Sequence, residues 1–203
     1  MKSLLFFIIV FFPVLSLAQQ ETVISGKLLG ADKKPMALAH AHLLKAPNPK
    51  PVVQVQTKAD GSFEIKTKES GLLVVEFTGV NHLALDVPLL VEKPAKIGMS
   101  VSLAAYEYLE NPQEIKIMTD IDSFSYDNAR AMQKQPDGSF AIDLATSKDK
   151  LAYEVVGIEK TGRTINGTQS ESYQFDDGGD YRSIVTSHNG KARVVFDPQK
   201  VFH

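Results

Sequence analysis

The sequence contains no cysteine and no tryptophan among its 203 residues. The first absence excludes disulfide staples, thiol catalysis and the lipid-bearing cysteine of a bacterial lipoprotein. The second removes the broad indole faces on which many sugar sites are built. There is no excess of either charge: 22 Lys and Arg stand against 24 Asp and Glu, a formal net charge of −2. The basic residues are scattered and make no stripe, which argues against a nucleic-acid partner. No stretch outside the first residues approaches the roughly 20 apolar residues of a membrane span, and none carries the 3.6-residue period of an amphipathic helix. Nucleophilic catalysis also lacks its signs, since there is no Gly-x-Ser-x-Gly elbow and the five histidines stand in no recognisable triad context.

The N-terminus reads as an export signal. Lys2 supplies positive charge, Leu4 to Leu17 form an apolar run, and Ser16-Leu17-Ala18 ends in the small side chain a signal peptidase accepts. The expectation is cleavage after Ala18 (residues 1–18 forming the signal peptide), a periplasmic or secreted product, and no stable membrane insertion afterwards.

The remainder predicts an all-β chain of two consecutive small β-sandwich modules. Between residues 22 and 104, seven short runs with apolar alternation are separated by turns: Thr22 to Leu29, Ala37 to Leu44, Val52 to Thr57, Phe63 to Lys66, Gly71 to Thr78, Leu83 to Leu90 and Ala95 to Leu103. Asn48-Pro49-Lys50-Pro51 reads as a break between strands. Asp60-Gly61 reads as a hairpin turn, because Asp-Gly tolerates the positive φ that such turns need. Residues 105–113 form a short linker. From 114 to 203 a second set follows, with a helical turn near Asp127 to Ala131, a hairpin at Gln135-Pro136-Asp137-Gly138, the strong strand Lys150 to Ile158, and a last hairpin through His188-Asn189-Gly190. Asp60-Gly61-Ser62-Phe63 recurs as Asp137-Gly138-Ser139-Phe140, and generic turn chemistry explains the echo without duplication.

On the strength of Ile24-Ser25-Gly26, the loop ending at Pro35, the strand Ala39 to Leu44, and Thr57-Lys58-Ala59-Asp60-Gly61-Ser62-Phe63, residues 22–104 resemble the carboxypeptidase regulatory-like domain. That is a transthyretin-like sandwich without catalytic activity, often found ahead of receptor, peptidase or thioredoxin-like domains. Val80-Asn81 departs from it, where the family has an aromatic after the glycine. Residues 114–197 resemble early-set modules that bind glycogen or starch. The resemblance runs through Ile115 to Met118, Phe124-Ser125-Tyr126, Met132 to Phe140, the Tyr153 strand and Tyr181-Arg182-Ser183-Ile184-Val185. The tryptophan such modules use is missing here.

Several residues are candidates for binding. Tyr126, Tyr173 and Tyr181 could form a sugar platform, with Asn128, Lys134 and Gln174 supplying hydrogen bonds to hydroxyls. The competing reading gives Tyr153 and Phe175 to the core and the others to ordinary strand surface. His40 and His42 share one strand face and could contribute two metal ligands, with His82 as a third; the plainer reading is the polar outer face of a half-buried strand. Asp176, Asp177 and Asp180 could offer oxygens to calcium, or could simply form a solvated loop. Asn166-Gly167-Thr168 reads as a turn. These residues imply no catalytic group and no cofactor. They imply a non-catalytic exported accessory protein of the bacterial cell envelope that binds an envelope protein or a glycan. One alternative is starch- or glycogen-like binding through the second module. Another is the non-catalytic front of a longer thioredoxin-like or peptidase enzyme.

Overall fold

A computed structural model describes residues 21–168, 172–176 and 180–201. The expected signal peptide and its cleavage point lie outside these residues, as does Asp177.

The described chain is all β, with two 3₁₀ turns and no α-helix. Seven strands make the first sandwich: β1 (Thr22–Leu29), β2 (His40–Lys45), β3 (Asn48–Gln56), β4 (Ser62–Thr67), β5 (Gly71–Thr78), β6 (Leu85–Val91) and β7 (Lys96–Ser102). One sheet has the order β4-β1-β7 and the other β3-β2-β5-β6. Only the β1–β7 pairing is parallel in this sandwich. Alternation decides which side chains meet between the sheets: Ile24 and Leu28 from β1, Ala41 and Leu43 from β2, Ile65 from β4, and Leu73, Val75 and Phe77 from β5 are fully buried. Gly26 sits where β1 and β7 come closest. A Cβ there would lie 1.8 Å from the Met99 carbonyl oxygen, so no other residue fits this register.

Eight strands make the second sandwich: β8 (Lys116–Thr119), β9 (Arg130–Ala131), β10 (Gln133–Lys134), β11 (Phe140–Ala145), β12 (Lys150–Val156), β13 (Ser172–Phe175), β14 (Tyr181–Thr186) and β15 (Lys191–Phe196). They form a five-stranded sheet, β13-β14-β12-β8-β9, facing a three-stranded sheet, β10-β11-β15. Ile115, Ile117, Leu151, Tyr153, Val155, Val194 and Phe196 fill its core.

Two expectations need correction. Asn48-Pro49-Lys50-Pro51 is not a break, because β3 begins at Asn48 and runs through it. As an edge strand, β3 tolerates proline, whose missing N–H can face away from the sheet. The Asp60-Gly61 turn is not a same-sheet hairpin either. It carries the chain from β3 in one sheet to β4 in the other. Its twin at Asp137-Gly138 does join neighbouring strands, β10 and β11. Both turns have the same bonds. In one, Lys58 N–H donates to the Ser62 carbonyl; in the other, Gln135 N–H donates to that of Ser139. The Asp carboxylate accepts from the Ser backbone in each, at 3.0 Å, and both glycines have positive φ. The local chemistry sets the reversal, and burial of the flanking strands sets which sheet each joins.

The two sandwiches are packed together. Residues 104–109 form a seam bonded to both sides. Leu83 N–H donates to the Ala104 carbonyl and Tyr106 N–H to that of Asn81, while Leu109 N–H donates to Ile158 and Lys160 N–H to Glu107. Asn81 reinforces the seam with its side chain: its Oδ1 accepts from Asn166 N–H at 2.7 Å.

Beyond the seam, the outer face of the β3-β2-β5-β6 sheet is covered at one end. His40 and His42, which the alternation points to the outer face, are buried there against the β13–β14 hairpin. The two histidines do take the outer face of the strand, as expected, but that face is covered here instead of leaving the strand half-buried. Phe175 stacks on the His40 ring at 4.1 Å between centroids. The Tyr181 hydroxyl donates to the Thr78 carbonyl at 3.1 Å and lies 2.9 Å from His40 Nδ1. His42 Nδ1 lies 3.2 Å from Glu76 Oε1.

Candidate functional site

The strand Lys150 to Val156 is buried on both faces, and Glu154 is the one charged side chain in its middle. Its alternation turns Leu151, Tyr153 and Val155 into the core and Glu154 to the outer face of the five-stranded sheet. Met118 pairs with Glu154 across β8. On the other side Tyr153 pairs with Ser183, which places Arg182 of β14 level with Glu154. Met118, Glu154 and Arg182 therefore form a floor across three adjacent strands.

Walls rise around this floor to enclose a cleft of about 420 Å³, within the range of roughly 300–1,000 Å³ typical of small-ligand sites. Phe124 and Tyr126 come from the β8–β9 connection, Tyr106 from the seam, Arg163 and Thr164 from the loop after β12, and Asp176 and Asp180 from the β13–β14 loop. Ser123 and Phe124 both have positive φ, 54° and 53°, a conformation that costs a bulky residue of order 1–3 kcal/mol. Two contacts hold it: Phe124 N–H donates to the Thr119 carbonyl at 2.9 Å, and the Arg182 guanidinium lies over the Phe124 ring at 4.1 Å. Arg163 similarly stands over the Tyr106 ring, at 5.9 Å. Tyr126, at the mouth, is the aromatic whose surface stays open; it is 58% exposed, and its hydroxyl donates to the Gly162 carbonyl.

The charges in the cleft are crowded and imperfectly matched. Glu154 is 6% exposed, and burial together with the nearby Asp180 pushes its carboxyl up to about 7; a Thr164 hydrogen bond and Arg182 offset part of this. Burial also raises the carboxyl of Asp180. Arg182 is 3.7 Å from Glu154 through Nε and 3.4 Å from Asp176 through Nη2. At 3.7 Å the first contact is too long for a hydrogen bond, and the buried Nε has no hydrogen-bond partner among the described residues. Asp176 and Asp180 are occupied at home. Asp176 Oδ1 accepts from Asp180 N–H, and Asp180 Oδ1 accepts from Tyr181 N–H.

The structure distributes the predicted site residues widely. Tyr126, Asp176 and Asp180 line the cleft. Tyr181 is buried between the sandwiches with its hydroxyl engaged there. Tyr173 lies on edge strand β13, and Asn128 is exposed on the 3₁₀ turn Tyr126–Asn128. Lys134 belongs to the other sheet, where its ammonium stands over Phe140. Gln174 is exposed on β13. Asn166 is buried, donating to the Tyr181 carbonyl and to Ser183 Oγ. His82 hydrogen-bonds the Val80 carbonyl from the turn after β5. Among the described residues no three His, Asp or Glu side chains converge as a metal site. Glu154, Arg182, Phe124, Tyr106 and Arg163 escaped the sequence reading. One signal was present: a lone glutamate inside an otherwise apolar strand needs a partner or a task.

No family model matches this sequence, and no curated protein does; neither resemblance gains support there. Among solved structures, a candidate carbohydrate-binding protein from Bacteroides uniformis is 8% identical, with a TM-score of 0.36, over 88% of this chain and 99% of that one. The pilin subunit BcpA of Bacillus cereus is 11% identical, with a TM-score of 0.38, over 90% and 55%. A 3-chlorocatechol 1,2-dioxygenase from Rhodococcus opacus is 9% identical, with a TM-score of 0.34, over 42% and 60%. The matches thus span little more than half of the pilin and of the dioxygenase. Likeness at this level bears on neither ligand nor activity.

Proposed function

We propose that this chain is an exported, non-catalytic binding protein of the bacterial cell envelope whose second sandwich holds a neutral glycan in the cleft beside Tyr126. The observation that carries the reading is the open ring of Tyr126 beside a cleft lined by Glu154, Asp176, Asp180, Arg163 and Arg182. A sugar ring has an apolar face that an aromatic covers and hydroxyls that planar carboxylates and guanidinium groups bond. The two arginines and three carboxylates of the cleft oppose each other, so no strong field of one sign selects an ionic ligand. No described helix is long and apolar enough to cross a membrane.

The test is a glycan panel covering gluco-, manno-, xylo- and chito-oligosaccharides, with retardation on starch and glycogen gels as the second readout. Binding that Tyr126→Ala abolishes supports the proposal. Silence across the panel, together with a stoichiometric protein captured from envelope extract, would replace glycan by protein as the ligand. One observation favours a second reading: a buried carboxyl at about 7, as in Glu154, is where a general acid for glycoside hydrolysis sits. Release of reducing sugar from any panel member, lost in Glu154→Gln, would make the protein an enzyme.

A further inference from the structure

We infer that the ligand is a linear, neutral oligosaccharide long enough to pass Tyr106 and occupy a second cleft at the junction of the two sandwiches. The inference rests on the glycan reading above and specifies the length and shape of the ligand.

The junction cleft is the larger of the two, about 670 Å³, and both sandwiches build it. Met36 and His82 come from the first, Tyr108 from the seam and Val201 from the end of the second. Tyr106 lines this cleft and the Tyr126 cleft alike, so the two are neighbours across a single side chain. Neither depends on closure by a ligand. The seam that separates the sandwiches is bonded on both sides, and Asn81 pins one to the other, which leaves the path preformed and lowers the ordering cost of binding.

The junction cleft also has the right chemistry. His82 Nδ1 stands 2.7 Å from the Val80 carbonyl oxygen. That nitrogen therefore donates to the carbonyl, which leaves Nε2 as the second polar atom of the ring. Gly30 lies beside it: a Cβ at that position would stand 3.2 Å from Asp32 Oδ1 and 3.4 Å from Nε2. Burial raises the hydroxyls of Tyr106 and Tyr108, the latter to about 12. A phenol is protonated at neutral pH even without that shift, so both present O–H groups there. Asp32 and Lys34 neutralise each other at 2.9 Å, and Lys200, the third charged group of the lining, is paired with Asp197 at 3.8 Å, so the junction too suits an uncharged chain. Polar groups and apolar surface from Met36 and Val201 line it together, as the hydroxyls and apolar faces of pyranose rings require. A ligand confined to the Tyr126 cleft would use none of this.

The experiment is calorimetric titration of the full chain with maltose through maltoheptaose and the matching cello- and chito-oligosaccharides. The expected result is that Kd falls about tenfold between trisaccharide and heptasaccharide, or ~1.4 kcal/mol. Ala105→Arg, an exposed position lining only the junction cleft, should erase that gain and keep the trisaccharide affinity within about twofold, an interval well under the tenfold step. Ala31→Trp, an exposed position that also lines only this cleft, should do the same and serves if the arginine variant fails to fold. Equal affinity at every length in the wild type, or a length gain that survives both blocking variants, overturns this inference while leaving the Tyr126 site standing. Failure of every oligosaccharide to bind overturns the glycan reading and the inference with it.

Discussion

Each sandwich carries a cluster of polar side chains on the outer face of one sheet, and the two clusters differ in how they are covered. On the first, His40, His42 and Thr78 lie beneath Phe175 and Tyr181, and the Tyr181 hydroxyl is bonded on several sides. On the second, Glu154 and Arg182 lie beneath Phe124 and Tyr126, but the cover is partial. The floor pairs at 3.7 Å rather than at hydrogen-bond distance, one carboxyl is pushed toward neutrality, and the backbone of Phe124 is strained. A buried polar group that finds its partners inside the chain fastens the fold. Each cluster leaves one buried nitrogen without a hydrogen-bond partner among the described residues, His42 Nε2 and Arg182 Nε, so the difference lies in the cover: Phe175 and Tyr181 close over the histidines, whereas Glu154 and Arg182 line an open cleft. On that ground the histidine cluster is read as a joint and the Glu154 cluster as the candidate site.

Perturbing the two clusters should have different consequences. Tyr181→Ala should have the largest effect, a loss of about 4 kcal/mol in chemical denaturation, because it removes a buried ring and the bonds joining the sandwiches. A loss under about 1 kcal/mol, the range of surface substitutions, would show that the joint contributes little. Next comes Glu154→Gln, with the opposite sign. The Glu154 carboxyl stands near 4.5 in the unfolded chain and at about 7 in the folded one. Below 4.5 both states are protonated and stability is unaffected. Between 4.5 and 7 the unfolded chain ionises first, so stability falls as pH rises, by at most about 3 kcal/mol above 7. The glutamine variant should therefore match the wild type at pH 4 and exceed it at pH 8. An unchanged dependence of stability on pH would refute the burial argument. Asn81→Ala should cost about 1–2 kcal/mol through the two bonds it makes to Asn166. Increased protease cutting within the seam is the second sign to look for. Tyr126→Ala should change stability by about 0.5 kcal/mol or less, as surface positions do, while removing glycan binding. If it instead melted the protein, Tyr126 would belong with Tyr181 as a structural residue.

How far the sequence led depended on the range of the interaction involved. Period-two alternation located six strands of the first sandwich within a few residues, because the face a side chain takes is a local property. It misjudged Asn48 to Pro51, where the edge position of β3 overrides the usual meaning of proline. It correctly put His40 and His42 opposite Ala41 and Leu43. It could not say that a hairpin more than a hundred residues later covers that face. Tyr126, Lys134 and Tyr181 were all chosen by residue type; the fold brings Tyr126 to the cleft and sends the other two elsewhere.

By itself, then, the sequence determined an all-β chain without disulfides, the turns at Asp60-Gly61 and Asp137-Gly138, and most of the core, since each follows from side-chain alternation and local backbone chemistry. Only the tertiary structure decided that the first of those turns crosses between sheets, that the histidines join two sandwiches, and that Glu154, Arg182 and Tyr126 meet in one cleft. Those outcomes depend on contacts between residues distant in sequence, which compete for the same buried surface and are settled only when both sandwiches are packed.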